Sequence, residues 1–159
     1  MVSSCLTGKG GIRMKKALAW LPSLLWMGLI FAMSAADGDT SAAHSGAVLE
    51  RLLACLARMP VLCQAVSPDT LHLIIRKGAH MAEYAVLALL NLRALRISGA
   101  KRPAPAALLL ACAYAASDEF HQGFVAGRGP SVYDVMIDTA GAALALLSAW
   151  IASRVFRRA

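Results

Sequence analysis

Residues 17–36, ALAWLPSLLWMGLIFAMSAA, carry no charged side chain. A helix of that length rises about 30 Å, the thickness of the hydrocarbon core of a bilayer. Inside that core every backbone polar group must be satisfied within the protein, which leaves few folds besides helices. The run is either a membrane span or a signal segment, and Ser34-Ala35-Ala36 offers small residues for cleavage after Ala36. Its length exceeds the usual 7–15-residue signal core, roughly speaking, and favours the span.

Composition extends this reading to the whole chain. The 159 residues are 58% hydrophobic with a mean hydropathy of +0.60, and only 16% are charged. A soluble domain carries about 25%. Aromatic residues are scarce, so Ala and Leu supply most of the apolar content. This is the pattern of an all-α integral membrane protein with one domain. The net charge of +7 raises nucleic acid as a partner, but the basic residues are scattered beside apolar runs. They read as topology signals, not a phosphate-binding stripe. Cys5, Cys55, Cys63 and Cys112 contain no CxxC pair. They read as small apolar fillers, with a Cys55–Cys63 disulfide as the alternative if their loop is extracytoplasmic.

The expected architecture is a four-helix transmembrane bundle. Residues 1–16 form a flexible basic cytoplasmic tail, in which Met14 is an alternative start. Residues 17–158 form a single domain with spans at about 17–36, 73–96, 104–121 and 132–153. In the loop after the first span, Val48, Leu49, Leu52, Leu53, Leu56 and Met59 recur at helical spacing. That predicts an amphipathic helix on the membrane surface, ended by Pro60. Ser67-Pro68-Asp69 starts the next helix with a capping residue and a proline in its first turn. A basic turn spans Ser98 to Pro105, and a glycine-rich loop spans Gly123 to Ser131.

Placing both termini in the cytoplasm puts eleven of the sixteen Lys and Arg residues inside, as the positive-inside rule requires. All nine acids and all four histidines then fall outside or in the outer half. Acids contribute little to orientation, so a polar site at the outer end of the bundle is the better account.

The densest part of that site is Tyr114 to Gly141, which holds four of the nine carboxylates. Steps of three and four place Arg76, Lys77, His80, Glu83 and Tyr84 on one side of the second helix. The third helix brings Asp118, Glu119, His121 and Gln122; the fourth brings Asp134 and Asp138, after Arg128 and Ser131 in the loop. His80, Glu83, Asp118, Glu119 and His121 are the candidate catalytic residues, because a carboxylate beside a histidine suits general acid/base work. Arg76, Lys77, Tyr84, Gln122, Arg128, Ser131, Asp134 and Asp138 are the candidate substrate-binding residues. The oxygen and nitrogen groups also suit a divalent cation, though no metal or cofactor is assigned. The plainer reading is a set of ion pairs that lock helices together, such as Arg128 with Asp134 or Lys77 with Asp118. For the whole one-sided cluster, a ligand or active site accounts better for so many charges.

These residues resemble the VanZ-like family. The resemblance rests on RKGAHMAEYAVLALL at 76–90, DEFHQGF at 118–124, GRGPS at 127–131 and DVMIDTAGA at 134–142, with MSAADGDTS at 33–41. It implies a small multi-pass protein of the bacterial cytoplasmic membrane, whose founding relative is linked to low-level resistance to the glycopeptide teicoplanin. The acids and histidines gathered on that side point to action at the outer face on a cell-envelope or lipid-linked substrate, with a membrane lipid or cell-wall precursor as partner. A non-catalytic binding or accessory protein is the alternative, and a proton-coupled transporter is weaker because no acid lies in the inner half. The family usually has asparagine where this chain has Asp138. Asp134 and Asp138 lie one helical turn apart, and two buried like charges do not both ionise cheaply. Asp138 is therefore expected to be protonated, reproducing the neutral donor and acceptor of asparagine.

Overall fold

The computed structural model describes residues 3–35, 68–125 and 129–157. Four helices run through them: α1 (Ser3–Ser34), α2 (Pro68–Ser98), α3 (Pro103–Gln122) and α4 (Val132–Val155). No strand occurs among the described residues. The amphipathic helix expected at 48–59, the loop before it and Arg128 lie outside them.

Local chemistry explains the boundaries. At the end of α2, Gly99 adopts φ 81°, a left-handed conformation that costs glycine little. Its N–H donates to the Arg96 carbonyl at 3.1 Å, and the Ala100 N–H donates to the Leu95 carbonyl at 3.0 Å. This paired closure satisfies carbonyls that a helix end leaves orphaned. Pro103 then starts α3, where its missing N–H costs nothing. Ser131 caps α4 from an extended backbone, with its hydroxyl accepting from the Asp134 N–H at 3.3 Å. The basic segment expected to be a flexible tail is instead helical from Ser3, continuous with the apolar run. Once the first turns exist, adding a residue costs little, and Lys, Arg, Leu and Met are good helix formers.

Helices α2, α3 and α4 pack mutually, and α1 rests mainly on α2. The core at one end is Ala88, Leu92, Ala107, Ala111, Ala142 and Leu146. Nearer the other end, Ile30, Tyr84, Leu87 and Ala115 form a second cluster. Small side chains let helix backbones approach closely, which is how helices associate in lipid. Among the described glycines, the tightest approach is at Gly141 of α4, where a Cβ would lie 2.3 Å from the Met81 carbonyl oxygen of α2.

Residues 13–34 and 132–155 are long and apolar enough to cross a membrane. In each, only 22% of the most apolar window is buried inside the bundle, whereas the core helix of a soluble protein is mostly buried. Leu18, Leu21, Leu25, Leu29, Leu144, Leu147 and Ile151 all point outward, a surface that suits lipid and not water.

Candidate functional site

The polar cluster forms where α1 and α3 end and α4 begins. Ser34, the last residue of α1, donates its hydroxyl to Asp118 Oδ2 at 2.9 Å. Gln122, one turn after Asp118 on α3, donates from Nε2 to Ser34 Oγ at 2.7 Å and to Asp118 Oδ2 at 3.0 Å. All three side chains are buried. This closed triangle joins α1 to α3. Tyr114, one turn deeper, adds a second tie by donating its hydroxyl to the Met27 carbonyl at 2.6 Å. Trp26 fastens α1 to α2 through its indole N–H and the Glu83 carbonyl at 2.9 Å.

Another set of bonds joins α3 to the start of α4. The Ser131 N–H donates to Glu119 Oε2 at 2.9 Å. Ser131 therefore works at both ends: its hydroxyl caps α4, and its N–H holds Glu119. Lys77 of α2 pairs with Asp134 of α4. The sequence suggested Lys77 with Asp118, but Asp118 is already engaged by Ser34 and Gln122, and Asp134 lies within reach of the half-buried lysine. His80 and Glu83, one turn apart on α2, approach to 3.9 Å. Arg76 is half-buried on the same helix. The His121 ring stacks on Phe31, with centroids 4.5 Å apart.

Every candidate residue among the described ones is thus drawn to one end of the bundle; Arg128 lies outside them. Many are engaged with one another, and what remains is informative. Tyr84, Asp118 and Asp138 are at most 3% exposed, yet the Tyr84 hydroxyl, Asp118 Oδ1 and Asp138 Oδ1 have no hydrogen-bond partner. The Tyr84 hydroxyl lies beside the Asp118 carboxylate. His121 Nε2 and Thr139 Oγ1 are buried and unpartnered as well. Most buried polar groups in proteins are paired, so several orphans in one cluster set it apart from the rest of the bundle. No group of three or more His, Cys, Asp or Glu side chains among the described residues is arranged to hold a metal ion.

Sequence reasoning left Ser34, Phe31 and Thr139 out of the site. Ser34 carried a signal: it is the last polar residue of an otherwise apolar run and lies in the MSAADGDTS segment. Thr139 lies in the DVMIDTAGA segment in the same way, whereas Phe31 carried no signal, because an apolar helix places such a residue on any face.

A family model described as VanZ/LLP1 matches residues 19–153. The chain belongs to the VanZ-like family. No curated protein and no solved structure is significantly similar to it. The matched region includes the whole described polar cluster of this VanZ-like protein, from Ser34 to Asp138. Asp138 is among the most buried residues in the bundle, at 1% exposure.

Proposed function

We propose that this VanZ-like protein acts at the outer face of the bacterial cytoplasmic membrane, by taking the polar head of a lipid-linked or cell-envelope molecule into the cluster at the Ser34 end. The observation that carries this reading is the set of buried oxygens on Tyr84, Asp118 and Asp138 that the bundle leaves unpartnered. Each would cost about 1–3 kcal/mol if nothing met it. Exposed Phe120, Phe124, Val132 and Tyr133 surround the same end and would sit at the headgroup level, where aromatic residues are favoured. An amphiphile held there would keep its tail in lipid while its head reached the cluster.

Both termini lie in the cytoplasm in this reading, so Arg154 and Arg157 meet the inner surface. The effect on the cell is a changed exposure of an envelope precursor, with glycopeptide susceptibility as the readout that the family suggests. Binding is the first role. Hydrolysis or group transfer is the second, favoured by the paired His80 and Glu83 and by the buried Nε2 of His121.

The test is a deletion strain complemented with wild type, Asp118→Asn, Glu119→Gln or His121→Gln. Envelope lipids, teicoplanin susceptibility and protein level in the membrane are measured together. A binder keeps partial function in these variants; an enzyme loses nearly all of it. If function tracks protein level alone in every variant, the cluster is structural and the proposal fails.

A further inference from the structure

At the end of the bundle opposite the polar cluster, cations stand without counter-charges. Arg93 and Arg96 lie in the last turns of α2, Lys101 and Arg102 in the turn to α3, and all four are exposed. Exposed Arg154 and Arg157 come from the end of α4. Exposed Lys15 and Lys16 come from α1, whose Trp20 indole N–H donates to Ser98 Oγ at 3.3 Å and holds that part of α1 beside the end of α2. Scattered along the sequence, these cations are gathered by the fold. Among the described residues, neither of the two ion pairs involves any of them. The described carboxylate side chains lie towards the other end. Glu83 precedes Arg93 by ten residues, about 15 Å of helix, and Asp138 precedes Arg154 by sixteen, about 24 Å. Both separations exceed the Debye length of about 8 Å at physiological salt. The positive-inside rule accounts for the side these residues occupy, but it supplies no counter-ion in the finished bundle.

The same end is apolar between its charges. Ile97 follows Arg96, Val155 and Phe156 separate Arg154 from Arg157, and all three are exposed. The Arg154 guanidinium lies over the Trp150 ring, 5.0 Å from its centroid. An amphiphile matches both halves of this surface: its phosphate meets the cations, and its acyl chains cover the apolar side chains. A nucleic acid would meet the cations and leave Ile97, Val155 and Phe156 in water. Arginine also suits a phosphodiester, because its planar fork can donate to two oxygens of one group. A zwitterionic lipid brings an ammonium of its own, which these cations repel. We infer that the basic end of the bundle, densest at Arg93, Arg96, Lys101 and Arg102, binds the headgroups of anionic phospholipids. The inference is independent of any ligand at the polar cluster and requires only that the bundle lies in a bilayer.

The full-length protein in detergent is titrated with phosphatidylglycerol, phosphatidylcholine or inorganic phosphate while the midpoint of thermal unfolding is followed. Phosphatidylglycerol raises the midpoint; phosphatidylcholine and inorganic phosphate do not. The phosphatidylglycerol response shrinks as salt is raised from about 0.05 to about 0.5 M, because screening shortens the reach of exposed charges. The triple variant Arg96→Gln, Lys101→Gln, Arg102→Gln binds this lipid more weakly, on the order of a hundredfold, at roughly fivefold for each cation near an anionic surface. Equal shifts from the two lipids in the wild type overturn the inference, and so does a phosphatidylglycerol shift that salt leaves unchanged; neither result depends on the variant folding. A response to inorganic phosphate as large as that to phosphatidylglycerol shows a free-anion site and overturns it. An RNA oligonucleotide that raises the midpoint more than phosphatidylglycerol moves the partner from lipid to nucleic acid and overturns it too. A folded triple variant with the wild-type lipid response shows that the lipid binds elsewhere.

Discussion

Replacing Gly141 with alanine is the smallest change that should force α2 and α4 apart. A Cβ at this position would lie 2.3 Å from the Met81 carbonyl oxygen, 2.7 Å from Met81 Cγ and 3.0 Å from the Met81 carbonyl carbon. Ordinary contact begins at 3.4 Å, so the approach falls short by about 1.1 Å. A side chain could swing away, but the first obstacle is backbone inside a helix. The helices must therefore separate along much of their shared face. Overpacking of this kind costs about 1–3 kcal/mol, and the backbone obstruction places Gly141→Ala in the upper half of that range. Thermal unfolding of the purified full-length protein in detergent should show a midpoint lower by several degrees. Combining it with Met81→Ala removes the Cγ clash and leaves the carbonyl clash, so the double variant should recover little of the loss. A Gly141→Ala protein as stable as wild type would refute the reasoning. Full recovery in the double variant would show that the side chain, and not the backbone, limits the approach.

Ser34→Ala removes the hydroxyl shared by Asp118 and Gln122 and leaves a buried acceptor and donor short of a partner; about 1–3 kcal/mol of stability should be lost, read by the same unfolding assay. An unchanged midpoint would mean that water replaces the hydroxyl freely. Asp138→Asn should leave expression and function close to wild type, since the amide keeps the shape and a carbonyl oxygen. Asp134→Asn breaks the pair with Lys77 and should be damaging. Equal harm from the two would show an ionised carboxylate at 138 and favour a bound cation. Reporter fusions after Lys101 and after Gly127 should report cytoplasm and exterior respectively; the reverse at either point would overturn the proposed orientation.

The sequence by itself determined the helical class and its fit to a membrane, because a twenty-residue uncharged run has few other uses. It also drew the candidate residues into one end of the chain's topology. The positions of Asp118 and Gln122 on one face followed from their spacing of four, and the structure joins them at 3.0 Å. The start of the second helix at Pro68 followed from its turn chemistry. The helical state of residues 3–16 did not, because glycines at 8, 10 and 11 argue for a tail when read without the helix they extend.

Pairing was decided only in three dimensions. Whether Lys77 meets Asp118 of α3 or Asp134 of α4 depends on how α2 packs against both helices and on Ser34 and Gln122 already engaging Asp118. Ser34 joins the cluster because α1 lies against α2 at a depth set by Trp26 and Tyr114, and periodicity within one helix carries no information about its depth beside another. The unpartnered oxygens of Tyr84, Asp118 and Asp138 are likewise invisible in the sequence. A residue's type states how many hydrogen bonds it can make, and only the packed bundle determines how many are left over.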